Sequence, residues 1–557
     1  MGKEKKFNSD PKRKSEFDKV KSKKFSKVVT ESVKDGIVYG KILMNIENDL
    51  NYCQISLIND CMLELDAKFM NYHNNKDSYT SSDKDLMEGY HPYFFEFLIS
   101  LDKVKLEILE EFKQYCNKWI KMKLVSNDDR KNKWDDILIA KEKVHLFGTV
   151  VFGASPLIRQ GKELVFSPDD TDVKKYIVLD SDELKHRIKE YTDNYKGEIE
   201  NEFCNLIEDA NEIKGSIYNV GQGNCISLKM NETDTFFDVG TTVKVFEAEE
   251  FYVRMNEARL STMKPQYIVL SHWDMDHVIG VCNIGNDKED DDYSVYHNCC
   301  WIAPDLNLLS NPSVSARRLC FFLLTTNKIW LVNCQNYRKS VIQSKNGFFS
   351  LWQGSKKEGQ GSKKNNIGLI IKIEHSCKKD INKKTNGNKN KDMVNQNALF
   401  AGDCEFAQMP SVLSDAKYDF IVTAHHGSGH AVPTDRMSAA QNARAVISVG
   451  SNTYKHPAPE HIAKLVEKGF RVFFTLGCFK IDFKIKKGEP ISINSVYENK
   501  RCSQCKDIWE LLRENCTEKC HETSKCSMGQ RLPMCGEQKV EDCLEYRKKC
   551  IADLKGL

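Results

Sequence analysis

A layered α/β fold is predicted for the second half of this chain, on three observations. First, short runs rich in β-branched and aromatic residues recur between about 214 and 490: Ser216–Val220, Tyr267–Leu270, Ala398–Phe400, Phe420–Thr423 and Arg444–Val449. Such runs read as buried strands. Second, short helical patterns such as Ala407–Ala416 and turns rich in Gly or Asn separate them. Third, several runs deliver an ionisable group at or just beyond their C-terminal end, and in layered α/β folds sites gather where strand ends converge.

The chain has 557 residues, of which 40% are hydrophobic, with 28 Phe, 20 Tyr and 7 Trp. That length allows about three to four domain-sized units, and that composition is enough for a sizeable core. The net charge of +3 makes no whole-molecule argument for nucleic acid, so any basic signal is local. The longest apolar candidate for a membrane span, Cys320–Val332, is interrupted by Thr325, Thr326, Asn327 and Lys328. No apolar segment follows the N-terminal charges, and Lys6 stands where a myristoylation signal wants Ser or Thr. A cytoplasmic protein without a membrane partner is expected. Of the 21 Cys, the thirteen scattered ones read as small buried apolar residues.

In chain order, residues 1–28 are Lys-rich and too poor in apolar side chains to order themselves. This basic tail is also a candidate arm for nucleic-acid phosphates. Residues 29–213 are expected to be mostly helical. Phe97, Leu98, Leu101, Val104, Ile108, Phe112, Trp119 and Ile120 give helical spacing over Phe94–Lys123, whereas His145–Phe152 and Glu163–Phe166 look like strands. Asp182–Ile213 returns to a helical pattern. No catalytic constellation occurs in this part, which is read as a docking or recognition domain. From 214 the pattern changes to strands, with Gly221-Gln222-Gly223 read as a hairpin turn rather than a phosphate loop, since the third Gly and following helix are missing. Residues 377–397 are Lys- and Asn-rich and read as a disordered insertion in the 214–497 domain.

The chemistry concentrates at 271–280. The strand Tyr267–Leu270 runs into Ser271-His272-Trp273-Asp274-Met275-Asp276-His277, two His and two Asp within six positions. Imidazole and carboxylate together suit Zn²⁺, Mn²⁺ or Fe. A capped helix turn accounts for one Asp, but not for two His flanking two Asp. Spacing pairs His272 with Asp274 on one ion and Asp276 with His277 on a second. Asp403 can bridge the two, because a carboxylate shares its oxygens, and His425 completes the second. His426 and His456 are left for proton transfer or phosphate contact; a hydrogen-bonded structural role is the competing reading of each.

With these residues assembled, His272-x-Asp274-x-Asp276-His277 resembles the H-x-[HD]-x-D-H motif of metallo-β-lactamase-fold hydrolases. It is most similar to the hydrolase domain of the ComEC competence-protein family. Asn219-Val-Gly-Gln-Gly-Asn224, Phe237-Asp238-Val-Gly240, Asn365-Asn366-x-x-Leu369, Ala401-Gly402-Asp403, His425-His426-Gly427-Ser428 and His456-Pro457 follow in the family's order over about 214–490. Asn219 and Asn224 depart from the family's usual Asp. The middle His of metallo-β-lactamases proper has no counterpart, and Asn366 stands near its place. The resemblance implies an αββα metallo-β-lactamase sandwich, here with a mostly helical N-terminal domain and a small Cys-rich C-terminal segment. It also implies metal-dependent hydrolysis, with two divalent ions, Zn²⁺ or Mn²⁺.

Residues 498–557 hold eight Cys. Cys502, Cys505, Cys516 and Cys520 have structural-zinc spacing, and disulfides are the alternative. The expected function is a phosphodiesterase or nuclease acting on DNA or RNA through two metals and a hydroxide, with Asp276, His426 and His456 as its catalytic residues. The alternatives are a hydrolase of a small phosphoester, lactone or nucleotide signal, and a non-catalytic binding or sensing module. The basic arm is the candidate contact for nucleic acid. Residues 29–213 and the Cys-rich segment are candidate contacts for protein.

Overall fold

The computed structural model describes residues 37–100, strand segments between 119 and 167, and 182–240, 265–280, 298–378, 393–449 and 456–497, short gaps apart. The basic arm 1–28 and the segment 498–557, with its candidate zinc cysteines Cys502, Cys505, Cys516 and Cys520, lie outside the described residues. The chain divides into two compact units. One takes the chain up to 184, residues 46–50 excepted, together with 313–326; the other takes the remainder.

The first unit is built on an eight-stranded sheet. Its strands are β1 (Ile37–Glu47), β2 (Leu50–Ile58), β3 (Phe95–Ser100), β4 (Trp119–Ser126), β5 (Ile139–Ala140), β6 (Lys143–Leu146), β7 (Val151–Phe152) and β8 (Lys162–Ser167). The order is β5-β6-β8-β4-β1-β2-β3-β7. The expected mostly helical character of 29–213 is therefore corrected. Both ends of the helix expected over Phe94–Lys123 are strands, and β4 pairs antiparallel with β1 and β8. The reason is visible in β4, Trp-Ile-Lys-Met-Lys-Leu-Val-Ser, where apolar and polar residues alternate at period two. Cross-strand pairing decides between two compatible periodicities.

Helix does occur at Asp60–Asn74, where Asn59 caps the first turn by accepting from the Met62 amide at 2.9 Å. The helix Val314–Thr325, distant in sequence, also belongs to this unit. Its buried Arg318 clamps Asp66 through Nε and a terminal nitrogen at 2.7 and 3.0 Å, and Phe322 stacks on Phe69 at 4.8 Å.

The second unit carries two further sheets. The first contains β9 (Glu212–Tyr218), β10 (Cys225–Met230), β11 (Thr233–Val239), β12 (Tyr267–Val269), β13 (Cys300–Pro304) and β14 (Ile329–Val332). The second contains β15 (Ile342–Gln343), β16 (Phe349–Gln353), β17 (Leu369–Lys378), β18 (Met393–Phe400), β19 (Lys417–Val422), β20 (Ser438–Ile447) and β21 (Arg471–Phe474). The chain then returns with β22 (Cys478–Lys486) and β23 (Ser492–Tyr497) to the first sheet, where β22 pairs with β9. β9 and β10, on either side of the expected hairpin turn, pair antiparallel. β17 and β18 reach 378 and 393, so both ends of the expected disordered insertion are paired strand. Residues 379–392 lie outside the described residues.

The two sheets share one apolar core. Ile217, Ile226, Phe237, Val269, Ile302 and Phe483 come from the first, and Leu351, Ile371, Phe400, Phe420 and Val446 from the second. Phe400 lies 5.4 Å from Phe483 and 5.8 Å from Phe420, centroid to centroid. Period-two alternation sends the neighbouring Leu399, Ile421 and Ala445 to the opposite face, where they meet Ile462 and Leu465 of the helix Pro459–Glu467. Each such apolar side chain contributes about 1.5–3 kcal/mol on burial. The expected mixed α/β architecture of two packed sheets with helix outside is thus observed. Described cysteines such as Cys225, Cys299 and Cys404 are buried and free of disulfides. No helix among the described residues is long and apolar enough to cross a membrane.

Candidate metal centre

The parallel portions of both sheets end at one place. β11 and β12 run parallel in the first sheet, as do β18, β19 and β20 in the second. Their carboxyl ends deliver Asp238, the 271–278 loop, Asp403, His425-His426 and Ser448.

Asp238 organises the first sheet's side of the site. It is fully buried and takes a left-handed backbone at φ 58°. Its Oδ1 accepts from the Ser271 amide at 2.6 Å; its Oδ2 accepts from Asn224 Nδ2 at 2.9 Å and the Ser271 hydroxyl at 2.7 Å. His277 Nδ1 approaches the same Oδ2 at 2.8 Å, which turns Nε2 towards Asp403. Asn224 is thereby explained: an Asp at 224 would set a second carboxylate against Asp238. Asn219 instead faces its own turn, with Oδ1 3.4 Å from the Gly221 amide. Gly240 is required here, because a Cβ would strike the Asp276 carbonyl and His277 Cα.

Asp403 is buried to 3% exposure, and its two oxygens face different sets of side chains. Oδ2 lies 3.8 Å from His272 Nε2 and 3.5 Å from His425 Nε2, and His272 Nε2 lies 3.6 Å from Asp274. Oδ1 lies 3.2 Å from His277 Nε2 and 3.7 Å from His426 Nε2, and His426 Nε2 lies 3.7 Å from Asp276. His425 and His426 both have left-handed backbone, φ 49° and 51°. With Asp238 they place three non-Gly residues in that sparsely populated region within one site, an arrangement typical of functional strain.

The expected ligands His272, Asp274, Asp276, His277, Asp403 and His425 are therefore brought together, with one redistribution. His425 belongs with His272 and Asp274, while His426 joins Asp276 and His277. The sequence leaves His426 for proton transfer or phosphate contact; in the structure it stands among the candidate ligands. Its Nδ1 donates to the Ser448 carbonyl at 2.8 Å, so only Nε2 is offered, and Nε2 faces two carboxylates. His456 is buried, with its ring 5.5 Å from that of His425. Asn366 Oδ1 accepts from the Glu405 amide at 3.3 Å, and Asn365 stands beside His425.

The charges are tightly balanced. Burial pushes the His277 pKa down, but the carboxylates of Asp403, Asp238 and Asp276 together hold it well above the usual imidazole range. Burial likewise opposes ionisation of Asp403, but the imidazoles of His277, His425 and His426 hold it well below the usual carboxylate range. Burial, then the neighbouring imidazoles of His425 and His426, push His456 well down.

The donor set fits a divalent cation. Nε2 of His272, His277 and His426 is buried with no hydrogen-bond partner. Leaving such groups unmet costs about 1–3 kcal/mol each, which a coordinated ion would offset. Ligand atoms of His272, His277 and Asp403 lie within 4.8 Å of one another, as do those of Asp276, His277 and His426. Asp274, Asp276 and His425 keep 29%, 21% and 14% side-chain exposure and form the open side.

Asp238, Ser271 and Asn224 were not picked out by sequence reasoning as site residues. The signal for Asp238 was present, since it too is a carboxylate at a strand end. A nearby residue supplies a pH test. His461, fully buried, has Nδ1 2.9 Å from the Ser428 carbonyl, and burial pushes its pKa down to about 4. The unfolded chain takes up this proton first, so the associated stability is complete above about pH 6.5 and is lost as pH falls towards 4. Urea unfolding at pH 7 and pH 5 should show His461 accounting for about 2 kcal/mol of the loss. A His461→Gln protein losing as much stability as wild type over that interval would refute the assignment.

No protein-family profile and no curated protein matches the chain. Among solved structures, it is similar to a putative metallo-β-lactamase from Thermotoga maritima at 10% identity, covering 35% of this chain and 79% of that one, with a TM-score of 0.21. It is similar to a diphosphatase of the PhnP family at 9% identity, covering 52% and 100%, with a TM-score of 0.25. It is also similar to MEM-A1, a subclass B3 metallo-β-lactamase from a soil metagenome, at 11% identity, covering 39% and 78%, with a TM-score of 0.20. At these scores the likeness carries no statement about activity, which rests on the side chains themselves.

Proposed function

We propose that the second unit is a metal-dependent hydrolase of phosphodiesters, with DNA or RNA as substrate. The observation that carries the reading is Asp403, whose Oδ2 faces His272 and His425 and whose Oδ1 faces His277 and His426, with Asp274 beside His272 and Asp276 beside His426. A divalent ion in each set would supply an activated water and neutralise phosphate charge. The chain's own residues do the rest. Asp238 fixes the orientation of His277, the Ser448 carbonyl fixes that of His426, and Asp403 ties the two sets together. The partly exposed Asp274, Asp276 and His425 border the side from which substrate enters. His456, buried beside His425, is the remaining group for proton transfer. The motif order resembling the ComEC hydrolase domain and the Lys-rich 1–28 arm favour a polymeric substrate.

The test is metal analysis of the purified protein, then incubation with single- and double-stranded DNA, RNA and bis-p-nitrophenyl phosphate in Mn²⁺ or Zn²⁺. Cleavage of a polynucleotide is expected, weakening steeply with salt and less steeply once 1–28 are deleted. Turnover of the small diester alone would restrict the reading to small phosphoesters. A protein that binds no ion and cleaves nothing would make this unit a binding module.

A further inference from the structure

The two sets around Asp403 are alike in Asp and His but differ in how an amide meets them: Asn365 lies against His425 Nε2, whereas the Asn224 amide is turned to Asp238, behind His277. Asn365 is buried to 5% exposure at the short helix Lys363–Asn366, and its Nδ2 lies 3.5 Å from His425 Nε2. That same nitrogen of His425 faces Asp403 Oδ2 at 3.5 Å. Asn365 Oδ1 is buried with no hydrogen-bond partner. Its backbone is pinned, the carbonyl accepting from the Gly368 amide at 3.0 Å. An amide oxygen left unmet in the interior is costly, and an ion beside His425 would meet it.

The geometry points to Asn365 as a metal ligand of the His272–Asp274–His425 set, supplying a neutral oxygen that makes this half selective for Mn²⁺ over Zn²⁺. The inference rests on the metal reading of the site and deepens it. A half-turn about the last side-chain torsion, which has broad and roughly two-fold wells, exchanges Oδ1 and Nδ2. Nδ2 and Oδ1 of Asn365 are thus interchangeable at His425, and with an ion held there the turned amide would offer Oδ1. That half then has oxygens from Asp274, Asp403 and Asn365 alongside nitrogens from His272 and His425. Five donors rich in hard oxygen suit Mn²⁺, which accepts higher coordination, better than Zn²⁺, which settles for four with nitrogen or sulfur. The Asp276–His277–His426 half has Asn224 beside it, but that amide donates through Nδ2 to Asp238 Oδ2, on the Nδ1 side of His277 and away from Nε2, so this half keeps the four-donor set.

The test is Mn²⁺ and Zn²⁺ titration of the full-length protein by calorimetry, with Mn²⁺ electron paramagnetic resonance as a readout independent of activity. Wild type should bind two Mn²⁺. Asn365→Leu, close in volume but without a donor, should keep one and bind the other about 10–100-fold more weakly, with an altered spectrum. Asn365→Asp should retain both, and Asn365→His should move the preference of the weakened site towards Zn²⁺. Thermal melting confirms that each variant is folded, and rescue by Asp guards against a purely structural effect of Leu. Two Mn²⁺ bound by Asn365→Leu with unchanged affinity and spectrum would overturn the assignment while leaving the metal reading intact. A raised KM for bis-p-nitrophenyl phosphate with unchanged metal binding would equally overturn it, making the amide a substrate contact. Failure of wild type to bind any ion would overturn the metal reading itself.

Discussion

Asp403→Ala is expected to remove metal-dependent hydrolysis and to reduce bound metal from two ions towards none. The carboxylate is buried, and each of its oxygens faces a different His pair. Loss of at least about a thousandfold in kcat/KM is expected, roughly 4 kcal/mol of transition-state stabilisation. Metal stoichiometry and single-turnover cleavage measure the two effects separately, and undiminished cleavage by a metal-free Asp403→Ala protein would end the two-metal reading.

A pH dependence follows from the same carboxylate. Without metal, carboxylates hold the His277 pKa well above its ordinary value, despite burial. That raised pKa contributes stability fully present below about pH 6.5 and lost as pH rises through the raised value. An ion must displace that proton, so metal affinity should rise with pH, with proton release seen by calorimetry in buffers of different ionisation enthalpy. Affinity independent of pH between 6 and 8 would count against His277 as a ligand.

The second large effect is expected at Asp238, which need touch neither metal nor substrate. The Ser271 amide and hydroxyl and the Asn224 amide all donate to its buried carboxylate, and His277 Nδ1 lies within hydrogen-bonding reach of it. Asp238→Ala leaves these groups without an acceptor in a site closed to water, at a cost of about 3–5 kcal/mol. For a unit of this size that corresponds to a fall in Tm of roughly 10 °C. His277 also loses its orientation, so metal affinity should fall with stability. Asp238→Asn should be less destabilising, because it retains acceptor capacity. It should still weaken metal binding, because its nitrogen opposes Asn224 or His277. Unchanged melting of Asp238→Ala would show that the four contacts are energetically idle.

The strand-then-ligand pattern was legible because both halves of it are local. A run such as Tyr267–Leu270 advertises a buried parallel strand by composition, and the residues just beyond it must lie at the sheet's carboxyl edge. The same rule located Asp403 and the His425-His426 pair. It failed at β3 and β4, because Phe97, Leu98, Trp119 and Ile120 satisfy helical spacing while their neighbours also satisfy strand alternation. Partners contributed by β1, β2 and β8 resolve that ambiguity, and no window around 94–123 contains them.

By itself, then, the sequence determined the two-sheet α/β class of the second unit and the identity of the side chains gathered at its strand ends. Those properties depend on periodicity and composition within a dozen residues. Tertiary structure alone decided which imidazole serves which oxygen of Asp403. His425 and His426 are adjacent in sequence, and their left-handed backbones, closed against β20 and the Asp403 turn, direct them into different sets. It also decided that Asn365, rather than Asn366, faces the site, and that Asp238 holds His277. Each is a contact across dozens of residues, set by how two sheets pack around one core and by no pattern along the chain.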